Sequence, residues 1–172
     1  MGESSIELIR EHIMAQQERD AIQAKIQNWF IEEGYKVSKV DNPKTYFTIT
    51  AEHSTGMHIG VSQGLDSKDR LTIEGGVQVP DDQFRQMPEK ERLDFLWELR
   101  YDLITNDLIF AMLPNGQLPN KIVVLKNIWY DGLTKNSFMN AAQKVVEGKL
   151  MTLWKFQQKL GAPEPKSDHV IV

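Results

Sequence analysis

Hydrophobic and polar positions along this chain change period in the order helix, three strands, helix, two strands, helix. Residues 5–33 have helical spacing but carry two apolar stripes. Ile6, Ile9 and Ile13 share one side, whereas Ile22, Ile26, Trp29 and Phe30 share a side roughly opposite. The polar run Gln16-Gln17-Glu18-Arg19-Asp20 separates them, and Asp20 with Gln23 three residues later has capping-box spacing. The pattern is met either by a break near Asp20 or by one long helix packing two surfaces, with Gly34 as its stop.

Three alternating segments follow. Phe47, Ile49 and Ala51, then Met57, Ile59 and Val61, then Leu71, Ile73 and Val77 take every second position, with polar residues between. Period two with one apolar side predicts antiparallel strands covered on one face. A polar bridge from Pro80 leads to a helix that starts around Pro88 and runs to about Asn106. Leu108–Leu113 and Ile122–Tyr130 are the last two strands. They are apolar on both sides, which predicts cover on both faces. Asp131-Gly132 turns the chain, Thr134 is placed to cap a helix reaching Leu160, and Gly161 with Pro163 ends it. The expected organisation is an N-terminal helical segment over 1–19, one α+β domain over 20–162 with a curved antiparallel sheet of about five strands, and a flexible tail over 163–172.

Composition narrows the chemistry. At 172 residues with 41% hydrophobic and 26% charged residues, the chain has the make-up of one soluble globular domain. A net charge of −4 argues against general nucleic-acid binding, which needs surplus Lys and Arg. The absence of cysteine removes disulfides, thiolate catalysis and cysteine-ligated metals. No apolar run approaches the roughly 20 residues that span a bilayer, and the N-terminus lacks the pattern of a signal peptide or a myristoylation site. A cytoplasmic protein without a cofactor is the expectation.

Few side chains invite a functional reading. Arg100 stands at the spacing of Leu93, Trp97 and Ile104, in the middle of the apolar arc expected on its helix. A guanidinium there is either a structural cation, satisfied by carbonyls or a carboxylate such as Asp107 or Asp131, or a group that binds an anion or a partner. Phe95 and Leu99 widen the arc beyond what one sheet face needs, which implies a second contact. Lys149 sits similarly among Phe138, Ala142, Val145, Leu153 and Phe156, where its stem can snorkel to water. Glu52, His58 and Glu74 fall on the polar side of the first strands. Two carboxylates and an imidazole suit metal binding or acid–base work, but solvated residues on an open sheet face are the ordinary outcome. Gly75-Gly76 lacks the pattern of a phosphate loop and reads as a bulge or strand end.

Three segments carry a resemblance: Trp29-Phe30-Ile31-Glu32-Glu33-Gly34-Tyr35, Phe95-Leu96-Trp97-Glu98-Leu99-Arg100, and Tyr130 through Met139 in Tyr-Asp-Gly-Leu-Thr-Lys-Asn-Ser-Phe-Met. With the order of elements, they make the chain resemble the type III secretion chaperone-like fold. More closely, it resembles a small uncharacterised archaeal domain-of-unknown-function family, from about Ile22 to Leu160. The resemblance implies helices on one face of a curved sheet and, by analogy, a dimer that holds extended segments of partner proteins; it transfers no catalytic residue.

The expected function is therefore a non-enzymatic protein-binding module, dimeric in the manner of the resembling chaperones, with a protein partner or second copy as ligand. Its candidate contact residues are Arg100, Trp97, Phe95, Leu99, Ile6, Ile9 and Ile13. The alternative is a small-molecule-binding or enzymatic domain that uses Arg100 or the polar group Glu52, His58 and Glu74.

Overall fold

The computed structural model describes residues 3–67 and 69–161, with side chains of the first helix described from Ala15 onward. The elements are α1 (Glu3–Glu32), β1 (Lys36–Lys39), β2 (Thr45–Glu52), β3 (His58–Gly64), β4 (Arg70–Gln78), α2 (Asp81–Gln86), α3 (Glu89–Thr105), β5 (Ile109–Leu113), β6 (Lys121–Trp129) and α4 (Lys135–Leu160). The six strands form an open, wholly antiparallel sheet in the order β1-β2-β3-β4-β6-β5.

Two elements exceed the sequence expectation. β1, Lys-Val-Ser-Lys, adds a sixth strand. With four residues and one inward apolar group, Val37, it is too short to show a period. The polar bridge after Pro80 contains α2, whose single buried residue is Phe84. α1 runs unbroken through Asp20, so of the two readings of the N-terminal helix the continuous one holds. Its described inward stripe is Arg19, Ile22, Ile26, Trp29 and Phe30. Ile6, Ile9 and Ile13 have side chains outside the described residues.

All four helices cover the same face of the sheet. α1 lies on β1 and β2, α4 on β3, β4 and β6, and α3 beside β5 and α4. The inward residues of the strands are those that alternation selects: Phe47, Ile49 and Ala51 on β2, Ile59 and Val61 on β3, Leu71 and Ile73 on β4, all buried. Two aromatic groups knit the layers. Phe30 meets Phe138 at 5.1 Å between ring centroids, and Phe156 meets Phe95 at 4.9 Å and Phe84 at 5.6 Å. α4 approaches β6 closely because Gly148 has no side chain; a Cβ there would stand 2.5 Å from Leu108 Cδ1 and 2.8 Å from Val124 Cγ1. Thr134 and Ser137 form a reciprocal capping box at its start, and Gly161 ends it in the left-handed region at φ 62°.

The cover predicted for both faces of β5 and β6 is supplied only in part by the described residues, which bury Val123 on the open face but not Ile109 or Leu113. Phe110, Met112, Ile122 and Val124 point under the helices, whereas Ile109, Ala111, Val123 and Leu125 share the open face. Ile109 is 49% exposed and Leu113 46%. The open face is thus divided: hydroxyl-bearing and charged on β2–β4, apolar on β5–β6.

Candidate functional sites

Three regions bear on function: the surface around β5, the polar group on the open face, and a break between β3 and β4.

The surface around β5 is shaped by α3. Its buried stripe is Arg92, Phe95, Leu96, Leu99 and Leu103. This corrects the expected arc. Phe95 and Leu99 are core residues, 6% and 0% exposed, that fasten the helix to the sheet and α4. The buried cation of the helix is Arg92, whose Nη1 donates to the Met87 carbonyl at 3.0 Å. Arg100 is half-buried at the border. Its Nη2 lies 3.4 Å from Met112 Sδ of β5, and its guanidinium sits 4.7 Å from the centre of the Trp97 ring. Neither Asp107 nor Asp131 pairs with it among the described residues; Asp107 instead binds the Lys126 ammonium, which holds its carboxyl below the usual carboxylate range. Trp97, Tyr101 and Ile104 project outward beside Arg100, each more than half exposed, at 54%, 64% and 61%. The Trp97 and Tyr101 rings lie 6.1 Å apart between centroids, tilted by 34°. The arc's error was one of rotation: spacing groups residues by side, but the side that faces the sheet is chosen by packing.

β5 is a terminal strand, so one of its edges has no strand beside it among the described residues. The opposite terminal strand, β1, is short and carries Lys36 and Lys39, the usual protection of an exposed edge. β5 reads Ile-Phe-Ala-Met-Leu, with no charge and no proline.

The polar group is only partly assembled. Glu52 and His58 are cross-strand partners on β2 and β3, with Oε1 and Nε2 3.6 Å apart and both half exposed. Glu74 is on the same face, where its Cγ lies over Gly60, its partner on β3. Among the described residues no three His, Cys, Asp or Glu side chains are placed to hold a metal ion.

The third region brings Gly75 and Gly76 together with Lys121 and Lys149. β3 and β4 pair only at Gly60↔Glu74, Val61↔Ile73 and Ser62↔Thr72. Continued by two residues the ladder would oppose His58 to Gly76, but the strands part there. Lys149 of α4 enters the break, and its Nζ donates to the His58 carbonyl at 2.6 Å. A Cβ on Gly75 would lie 2.2 Å from Lys149 Cδ, and one on Gly76 2.5 Å from Lys121 Cε. Successive residues of a strand face opposite ways. The two glycines therefore let two lysine stems cross β4, one on each face. β4 stays in register with β6 through both, at Gly75↔Val124 and Gly76↔Val123, so the pair is neither a bulge nor a strand end in that ladder. A cleft of about 640 Å³ follows the break. Two adjacent glycines inside an alternating strand were the one signal of it.

The fold is similar to that of a solved structure, an uncharacterized protein from Methanothermobacter thermautotrophicus. The two are 25% identical with a TM-score of 0.73, over 81% of this chain and 99% of that one. No curated protein matches the chain. No described helix is long and apolar enough to cross a membrane. The family described as "Uncharacterized conserved protein (DUF2299)" matches residues 22–156, from the inward stripe of α1 to the Phe156 ring in the core, and the chain belongs to that family.

Proposed function

We propose that this protein is a cytoplasmic, non-enzymatic protein-binding module of the type III secretion chaperone-like kind, which pairs with a second copy of itself along β5. The observation that carries this reading is the uncharged free edge of β5, flanked by Ile109 and Leu113 on the open face and by Trp97, Arg100 and Tyr101 on the helical side. An unpaired strand edge supplies backbone donors and acceptors, and apolar groups on both of its sides supply the burial that makes added pairing specific. Tyr, Trp and Arg are the residue types that most often dominate such contacts.

Light scattering over a range of protein concentrations tests it. A dimer that dissociates on dilution, and is lost in Ile109→Lys, is the expected result. A strict monomer at every concentration refutes the reading.

A further inference from the structure

We infer that the break between β3 and β4 is a binding site for a small monocarboxylate with an apolar body, its carboxylate set between Lys149 and Lys121 at Gly76. The site is independent of the β5 surface.

The argument begins with the two ammonium groups. Lys149 and Lys121 reach the break from opposite faces of β4, each across a glycine that a side chain would block. Neither is paired with a carboxylate among the described residues. Lys149 spends one of its three hydrogens on the His58 carbonyl. Burial holds its amine below the ordinary lysine range, and the charge of Lys121 pushes in the same direction. A bound anion would offset both effects.

The backbone adds a donor. In an antiparallel ladder the N–H and C=O of alternate residues point to the same neighbour. Val79 N donates to the Asn120 carbonyl and Tyr130 N to the Asp69 carbonyl, so the odd-numbered residues at both ends of β4 bond toward β6. Glu74 and Gly76 therefore direct their groups to the other side, where β3 has parted from Gly76. Its amide N–H opens into the cleft, and glycine permits close approach of a ligand to the backbone.

Charge and shape set the ligand class. Glu74 also lines the cleft, over Gly60, while Glu52 is engaged with His58. Two lysines against Glu74 leave one net positive charge, which one carboxylate balances and a dianionic phosphate exceeds. On the helical side the lining is Met57, Ile59, Val77, Leu150 and Leu153, which calls for an apolar body. A volume of about 640 Å³ suits a small organic molecule.

The test uses octanoate, octanol and inorganic phosphate, followed through the backbone amide resonances of the full-length ¹⁵N-labelled protein. Octanoate is expected to shift the Gly75 and Gly76 amides saturably. Octanol and phosphate are expected to bind at least tenfold more weakly. Lys149→Met and Lys121→Met should each weaken octanoate at least tenfold; Lys121 is exposed, so its variant keeps the test valid should the Lys149 variant misfold. Absence of saturable shifts at Gly75 and Gly76, equal binding of octanol or phosphate, or wild-type affinity in Lys121→Met would each overturn the assignment.

Discussion

The Tyr130 hydroxyl donates to Gln63 Oε1 at 2.6 Å, joining the turn before α4 to the fully buried end of β3. Gln63 faces the helices opposite Phe47, and its Nε2 donates to the Ser67 carbonyl at 2.8 Å. A buried amide in an apolar layer is tolerated when its polar atoms are met, and this turn meets the acceptor. Tyr130→Phe is expected to destabilise the protein by about 0.5–1.5 kcal/mol, the net contribution of one hydrogen bond, as read from urea denaturation midpoints.

Burial of the same hydroxyl sets an alkaline limit. Burial is the main cause that pushes the Tyr130 hydroxyl up from 10.0 to about 12, with the Glu18 charge adding to it. The folded state therefore keeps a proton that the unfolded chain releases. The contribution is intact below pH 10 and is lost as pH rises from about 10 to about 12. Alkaline denaturation followed in wild type and Tyr130→Phe checks this: the variant should lose stability less steeply in that window, and equal slopes would rule out ionisation of Tyr130 as the cause.

Gly148 places α4 on β6. Alanine is the better helix former by about 0.5–1 kcal/mol, but its methyl would enter the space of Leu108 and the stiff Val124. Overpacking costs about 1–3 kcal/mol. Gly148→Ala should thus be net destabilising by about 1 kcal/mol, measured by thermal or urea unfolding; a stabilised variant would mean that the layers separate freely.

Thr134 Oγ1 accepts from Ser137 N at 3.1 Å, and Ser137 Oγ accepts from Thr134 N at 2.9 Å. Thr134→Ala should cost about 1 kcal/mol. Because both residues act in one motif, the double variant with Ser137→Ala should cost less than the sum of the two single variants, a difference that a double-mutant cycle reads directly.

Trp97 makes the proposed interface separable from stability. Its ring is more than half exposed and rests on Arg100 and Tyr101. Trp97→Ala is expected to change unfolding free energy by no more than about 0.5 kcal/mol, while raising the dimer dissociation constant about tenfold or more. Light scattering together with denaturation would separate the two effects.

Alternation along β2, β3 and β4 was enough to identify their buried apolar residues, though not the buried Gln63 of β3, because a strand with one covered face can satisfy only one register. Likewise Thr134, Gly34 and Gly161 mark helix ends through chemistry that acts within a few residues, and Ile22, Ile26, Trp29 and Phe30 face inward as their spacing requires. Local rules of this kind are written in the order of residues.

What the sequence could not decide depends on which surfaces meet. Spacing grouped Arg100 with Trp97 and Ile104, but packing against β5 and α4 turned Arg92, Phe95 and Leu99 inward instead. Apolar residues on both sides of β5 and β6 predicted double cover, yet the described helices lie on one face, leaving Ile109 and Leu113 exposed. Gly75 and Gly76 stood alone in the sequence. The tertiary structure gave them a reason, because the lysines that cross them come from β6 and α4, remote in sequence and adjacent only once the sheet has formed.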